Sequence, residues 1–112
     1  MAVTQPTFEE FLALDLRVGT VVQSQPNTRA RDNALCLWID LGDAEPVQSS
    51  AKLTDLYQPE DLVGTQVVVV RGFAPIRVGG FRSDVLVLGV ITDNGVVLLR
   101  PDALVEPGSS VA

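Results

Sequence analysis

The 112-residue sequence contains no histidine and only one cysteine, Cys36. The missing histidine removes the usual general base, the commonest metal ligand and every Ser-His or Cys-His mechanism. With a lone cysteine beside that gap, too few ligands are left for a zinc site, structural or catalytic. No internal disulfide can form, which suits a reducing cytoplasm. Lysine is almost as scarce: Lys52 stands alone among eight basic residues, and the other seven are arginine. A basic stretch followed by an apolar one is missing from the N-terminus, so no signal peptide is expected. The longest apolar run, Val85 to Ile91 including Gly89, is far too short to cross a bilayer. With no basic amphipathic helix and no lipidation motif, the sequence predicts no membrane contact and a cytoplasmic location. Gly79-Gly80 lacks the spaced third glycine and the following helix of a dinucleotide fingerprint, so it reads as a tight turn. No cofactor and no metal are expected.

What is present fits one globular domain spanning residues 1–112, with 46% hydrophobic and 20% charged residues. The net charge of -6 argues against indiscriminate nucleic-acid binding. That charge is unevenly spread. From Leu62 to Ser83 there is no acid, while Arg71, Arg77 and Arg82 are all there. Screening over about 8 to 10 Å at physiological salt lets such a patch act partly independently of distant charge.

Thr7-Phe8-Glu9-Glu10 fits a capping box, and Phe8, Phe11 and Leu12 follow with helical spacing. A short helix is predicted from Phe8 to about Leu14, its apolar side covering a barrel end or a partner subunit. Strands are predicted at Val18–Gln23, at Leu35–Leu41 and, short, at Val47–Ala51. Val67–Arg71, Val85–Thr92 and Val96–Arg100 complete the set. Leu35, Leu37, Ile39 and Leu41 alternate onto one face, leaving Cys36, Trp38 and Asp40 on the other. Pro59–Leu62 suits one helical turn, ended by Gly64. Asp93-Asn94-Gly95 reads as a hairpin turn and Pro107-Gly108 as another. Five or six short strands with closely spaced turns favour an all-β fold: a small antiparallel barrel with a short N-terminal helix and a short helical turn.

Candidate chemistry is sparse. Ser49-Ser50-Ala51-Lys52 matches the S-x-x-K pattern of serine acyl-enzymes, but K-T-G is absent and the chain is too short for that fold. The serines read instead as strand-end hydroxyls, or as donors to phosphate or ribose oxygens. Fourteen carboxylates offer no recognisable acid–base pair. Asp40 and Asp84, set among apolar residues, suit turn anchors. Trp38 suits core or a subunit contact ahead of a base-stacking platform. No catalytic residue is assigned. Arg77 and Arg82, with Phe73 and Phe81 close by, give two competing readings. Either they form a nucleic-acid surface, or the phenylalanines fill the barrel and the arginines cover it.

Several blocks in order resemble the CsaA family. They are Asp15-Leu16-Arg17-Val18-Gly19, Leu37-Trp38-Ile39-Asp40-Leu41-Gly42, Gln48-Ser49-Ser50-Ala51 and Tyr57 to Gly64. Gly80-Phe81-Arg82-Ser83-Asp84 with Val85 to Gly89, and Val97-Leu98-Leu99-Arg100-Pro101-Asp102, complete the set. The resemblance implies an OB-fold of the tRNA-binding-domain type and a homodimer. It implies binding of tRNA or structured RNA by shape and charge, without catalysis. It also implies an alternative role as a chaperone for unfolded or export-destined polypeptides. By position it places Arg31, Ser49, Ser50, Arg77, Phe81 and Ser83 in the family's ligand-facing pattern. With Lys52 and Arg82 these make up the expected RNA surface. The polypeptide alternative uses Phe73, Ile76, Val78 and Phe81. The chain departs from the family at Gly72 and Ile76, where asparagine and arginine are usual. Asp32, Cys36 and Val47 stand where the family is more basic. Arg29, Lys52 and Arg71 are candidates to replace the missing charge.

Overall fold

The computed structural model describes residues 5–29 and 34–112. Its elements run α1 (Phe8–Ala13), β1 (Asp15–Asn27), β2 (Ala34–Asp40), β3 (Val47–Ala51), α2 (Pro59–Leu62), β4 (Gln66–Arg71), β5 (Ile76–Val78), β6 (Phe81–Ser83), β7 (Leu86–Val87), β8 (Gly89–Thr92) and β9 (Gly95–Leu98). The main sheet is antiparallel with strand order β3-β2-β1-β4-β7. It is the all-β, OB-fold-like barrel that the sequence predicts, flanked by the hairpins β5–β6 and β8–β9.

The long first strand organises the barrel. Its first half pairs with β4, Asp15 opposite Arg71 through Thr20 opposite Gln66. Its second half pairs with β2, and the register slips between Val21 and Gln23. A bulge of this kind bends a strand and increases its twist, so one strand can serve both walls. The free side of the first half takes the C-terminal segment: Val18 N–H donates to Ser109 O, and Val111 N–H to Leu16 O.

Alternation on β2 puts Leu35, Leu37 and Ile39 into the core with no exposure, beside Leu53, Leu62, Val67 and Val69. The edge strands β3 and β7 are stitched together by the segment between β6 and β7. Gln48 N–H donates to Asp84 Oδ2 (3.0 Å), and Asp84 N–H returns a bond to Gln48 O (2.8 Å). Ser49 Oγ donates to Val85 O (3.0 Å). Asp40 Oδ1 accepts from Gly42 N–H (2.7 Å), so both acids predicted as anchors do that work.

One expectation is corrected, and one is narrowed because α1 does not cover a barrel end. The sequence predicts one strand over Val85–Thr92, but the chain breaks at Leu88. The first half joins β4, and the second forms its own hairpin with β9. Gly89 sits at the crossing, where an added Cβ would come within 2.4 Å of Val96 Cγ1. The helix α1 has its capping box, with Thr7 and Glu10 exchanging two bonds, yet it buries none of its residues. Phe8 and Phe11 stack on each other in the open. Among the described residues no helix is long and apolar enough to cross a membrane.

Candidate nucleic-acid interface

The stretch predicted to turn at Gly79-Gly80 is a two-stranded ribbon. Both glycines take positive φ, 57° and 80°, which is what a two-residue hairpin loop needs for its twist to match the strands. The register pairs Val78 with Phe81, Arg77 with Arg82 and Ile76 with Ser83. Residues directly opposite share a face, and successive residues alternate. One face of the ribbon therefore carries Arg77 and Arg82. The other carries Ile76, Val78, Phe81 and Ser83.

Three contacts hold the ribbon on the barrel. Phe81 meets Trp38 edge to face, with ring centroids 5.2 Å apart. Asn27 Nδ2 donates to Val78 O (2.8 Å). Ser50 N–H donates to Ser83 Oγ (3.1 Å), and Ser83 Oγ donates on to Val85 O (3.2 Å). Trp38, open to three roles in the sequence, is here the seat of the ribbon.

On the charged face, Arg82 Nε donates to Asp84 Oδ1 (2.7 Å). Arg77 has no carboxylate partner among the described residues; its Nη1 donates to the Gly80 carbonyl (3.1 Å). Arg29 joins them. A Cβ built on Gly80 would lie 3.1 Å from Arg29 Nη1, so that guanidinium rests against the turn. Asn27 fixes this too, since its Oδ1 accepts from Arg29 N–H (3.2 Å). Asn27 is nearly buried and carries two of these bonds, yet nothing in its sequence surroundings marks it.

The apolar face borders a cavity of about 480 Å³, walled by Phe73, Ala74, Ile76, Val78, Val85 and Leu86, with Ser50, Ser83 and Asp84 as its polar margin. That volume lies within the roughly 300–1,000 Å³ typical of ligand pockets. Phe73, Ile76 and Leu86 are each more than half exposed, so the walls are an uncovered apolar surface.

The remaining predicted residues separate. Ser49 and Ser83 are buried, and their hydroxyls are engaged in closing the barrel. Both hydroxyls are thus spent within the barrel seam, and Ser83 also borders the cavity. Ser50 is half-buried at the cavity, and Lys52 is exposed beyond the end of β3. Arg31 lies outside the described residues. Arg71 is not part of the patch. It donates to Asp15 Oδ2, and lies 3.8 Å from Asp43. Asp15 Oδ1 accepts from Arg17 (2.7 Å), and the two guanidiniums, Arg71 foremost, hold its carboxyl below the usual carboxylate range. Burial pushes the Cys36 thiol up, away from reactivity.

A family model described as a putative tRNA binding domain matches residues 16–110, which takes in the whole barrel and the ribbon. A crystal structure of chaperone CsaA from Bacillus anthracis is 46% identical, with a TM-score of 0.89 over 97% of this chain and 100% of that one. The CsaA chaperone protein of Picrophilus torridus is 37% identical, with a TM-score of 0.90 over 96% and 100%. The chain belongs to the CsaA family of tRNA-binding-domain proteins. Curated relatives include the methionine–tRNA ligase of Methanothrix thermoacetophila, 38% identical over 104 residues and 93% of this chain. This CsaA-family chain spans only 15% of that ligase's length.

Proposed function

We propose that the domain binds tRNA or another structured RNA through the arginine face of the β5–β6 ribbon, as a cytoplasmic homodimer, without making or breaking a bond. One observation carries this reading. Arg77 stands directly across from Arg82 with no carboxylate of its own among the described residues, and Arg29 leans onto the same turn. Like charges directly opposite on a ribbon are destabilising, so a bound phosphate relieves a cost already present. The planar guanidinium fork suits phosphate oxygens. Lys52 and the Ser50 margin extend the surface. Phe81 shapes it from behind by seating the ribbon on Trp38. The match to a tRNA-binding-domain model and the likeness to methionine–tRNA ligases support RNA as the ligand. The bare apolar side of α1, with Phe8 74% exposed, supports a second copy as its cover.

The test is a titration of labelled total tRNA at about 50 and 200 mM salt. Binding is expected to fall steeply with salt. In the Arg77→Ala/Arg82→Ala double variant, the slope of log affinity against log salt is expected to flatten by about 0.7 to 0.9 per lost phosphate contact. An unchanged slope removes the ribbon from the RNA surface.

A second reading rests on the apolar cavity. Phe73, Ile76 and Val78 offer uncovered hydrophobic surface, and the two CsaA relatives are chaperones by name. Binding of unfolded polypeptide there would be nearly insensitive to salt, and it would suppress aggregation of a denatured protein.

A further inference from the structure

The two faces of the ribbon meet at an open strand edge. Among the described residues β5 pairs with β6 alone. The two-residue loop is closed by Val78 and Phe81, and bonded and non-bonded pairs alternate along an antiparallel ladder. Arg77 and Arg82 are therefore the pair that does not exchange hydrogen bonds. The N–H and C=O of Arg77 point out of the ribbon along the β5 edge. Upstream, Pro75 has no N–H to offer, so the open edge is short and centred on Arg77. Short edges of this kind avoid indiscriminate sheet growth.

We infer that β5 accepts a third strand: an extended polypeptide segment alternating apolar with acidic residues. This rests on the polypeptide reading above and adds to it a binding mode and a sequence pattern. The incoming residue opposite Arg77 exchanges both backbone bonds with it. Its side chain lies on the arginine face, where Arg77 has no carboxylate among the described residues and an acidic side chain provides one. Its two neighbours point to the other face, towards the cavity walled by Ile76, Val78 and Phe73. Backbone bonds give affinity in this mode, and pockets for alternate side chains give selectivity. Charge on one face and apolar surface on the other specify the pattern, and composition alone does not.

The experiment uses the full 112-residue chain. Fluorescence anisotropy compares three short labelled peptides. One alternates leucine with glutamate, one holds the same residues in two blocks, and one is the alternating peptide N-methylated at alternate backbone nitrogens. The alternating peptide is expected to bind about tenfold more tightly than either control, the effect of a few hydrogen bonds and one charged contact. Ile76→Asp, at a side chain already exposed, is expected to abolish that preference with the melting temperature unchanged. Equal binding of the alternating and block peptides overturns the inference, as does indifference to N-methylation. A chemically unfolded protein serves as a parallel probe. If it binds while the pattern makes no difference, strand addition fails and the polypeptide reading stands. If neither it nor the peptides bind, both fail.

Discussion

Two corners of the molecule each hold a group of arginines, and they use them in opposite ways. At the start of β1, Asp15 accepts from Arg17 and Arg71 at once, and Asp43 lies close to Arg71. At the ribbon, Asp84 accepts from Arg82 and shares its other oxygen with the Gln48 N–H, so among the described residues Arg77 is left without an acid. In both corners the key acid lies two residues from an arginine, the spacing that puts two strand residues on one face. The difference is how many guanidiniums one carboxylate serves. The first corner is internally neutralised and works as a brace. The second keeps charge in reserve for a ligand.

The sharpest way to break this comparison is to exchange single losses between the corners. Arg77→Ala is expected to lower tRNA affinity about tenfold at low salt, since a charged hydrogen bond to phosphate is lost, and to leave the melting temperature unchanged. Arg71→Ala is expected to do the reverse: a lower melting temperature and tRNA binding within about twofold of the parent, within the range of surface effects. Titration and thermal unfolding of both variants decide it. Equal binding losses would mean that the two corners form one surface.

Asp15→Asn probes the brace by a route that binding does not see. The carboxyl is held below its ordinary range in the folded state by Arg71 and Arg17. A depressed folded value means that the stabilisation is fully present above the unfolded carboxylate range and is lost as pH falls through the folded value. The parent is therefore expected to unfold at a higher temperature than the variant at neutral pH. The gap closes as the solution is acidified below the ordinary carboxylate range. Thermal unfolding across that range checks it, and a gap independent of pH would assign the loss to packing instead of charge.

Much of the barrel was legible because its signals are local. The capping box of α1, the leucine alternation of β2 and the glycine pair of the ribbon each act within a few residues. What was not legible depends on distant partners. Arg71, Arg77 and Arg82 read as one charged segment, yet Asp15, far back in the chain, claims the first of them. Arg29 joins the others only because Asn27 bonds both its backbone and the ribbon tip. Ser49 and Ser83 look like donors in sequence, but the carbonyl that takes both their protons, Val85 O, appears only when the barrel closes. The alternation Ile76-Arg77-Val78 did hold the two-faced ribbon in plain view, hidden by the turn and proline residues around it.

The finest distinction between the corners lies in Asp84 itself. Its Oδ1 accepts from Arg82 Nε (2.7 Å), while its Oδ2 accepts from the Gln48 N–H that helps to close the barrel and, more weakly at 3.4 Å, from Arg82 Nη2. Asparagine keeps a carbonyl oxygen for the backbone bond and gives up the charge. Asp84→Asn therefore frees Arg82 while preserving the seam. An exposed ion pair is worth only about 0–1 kcal/mol, so stability is expected to change little. The released guanidinium then behaves like Arg77. Affinity for tRNA is expected to rise about two- to threefold, with a salt slope steeper by up to about one phosphate contact. A loss of affinity would mean that Arg82 works only when its carboxylate positions it. Asp84 would then belong to the RNA surface itself, holding Arg82 in place for phosphate beside Arg77 and Arg29.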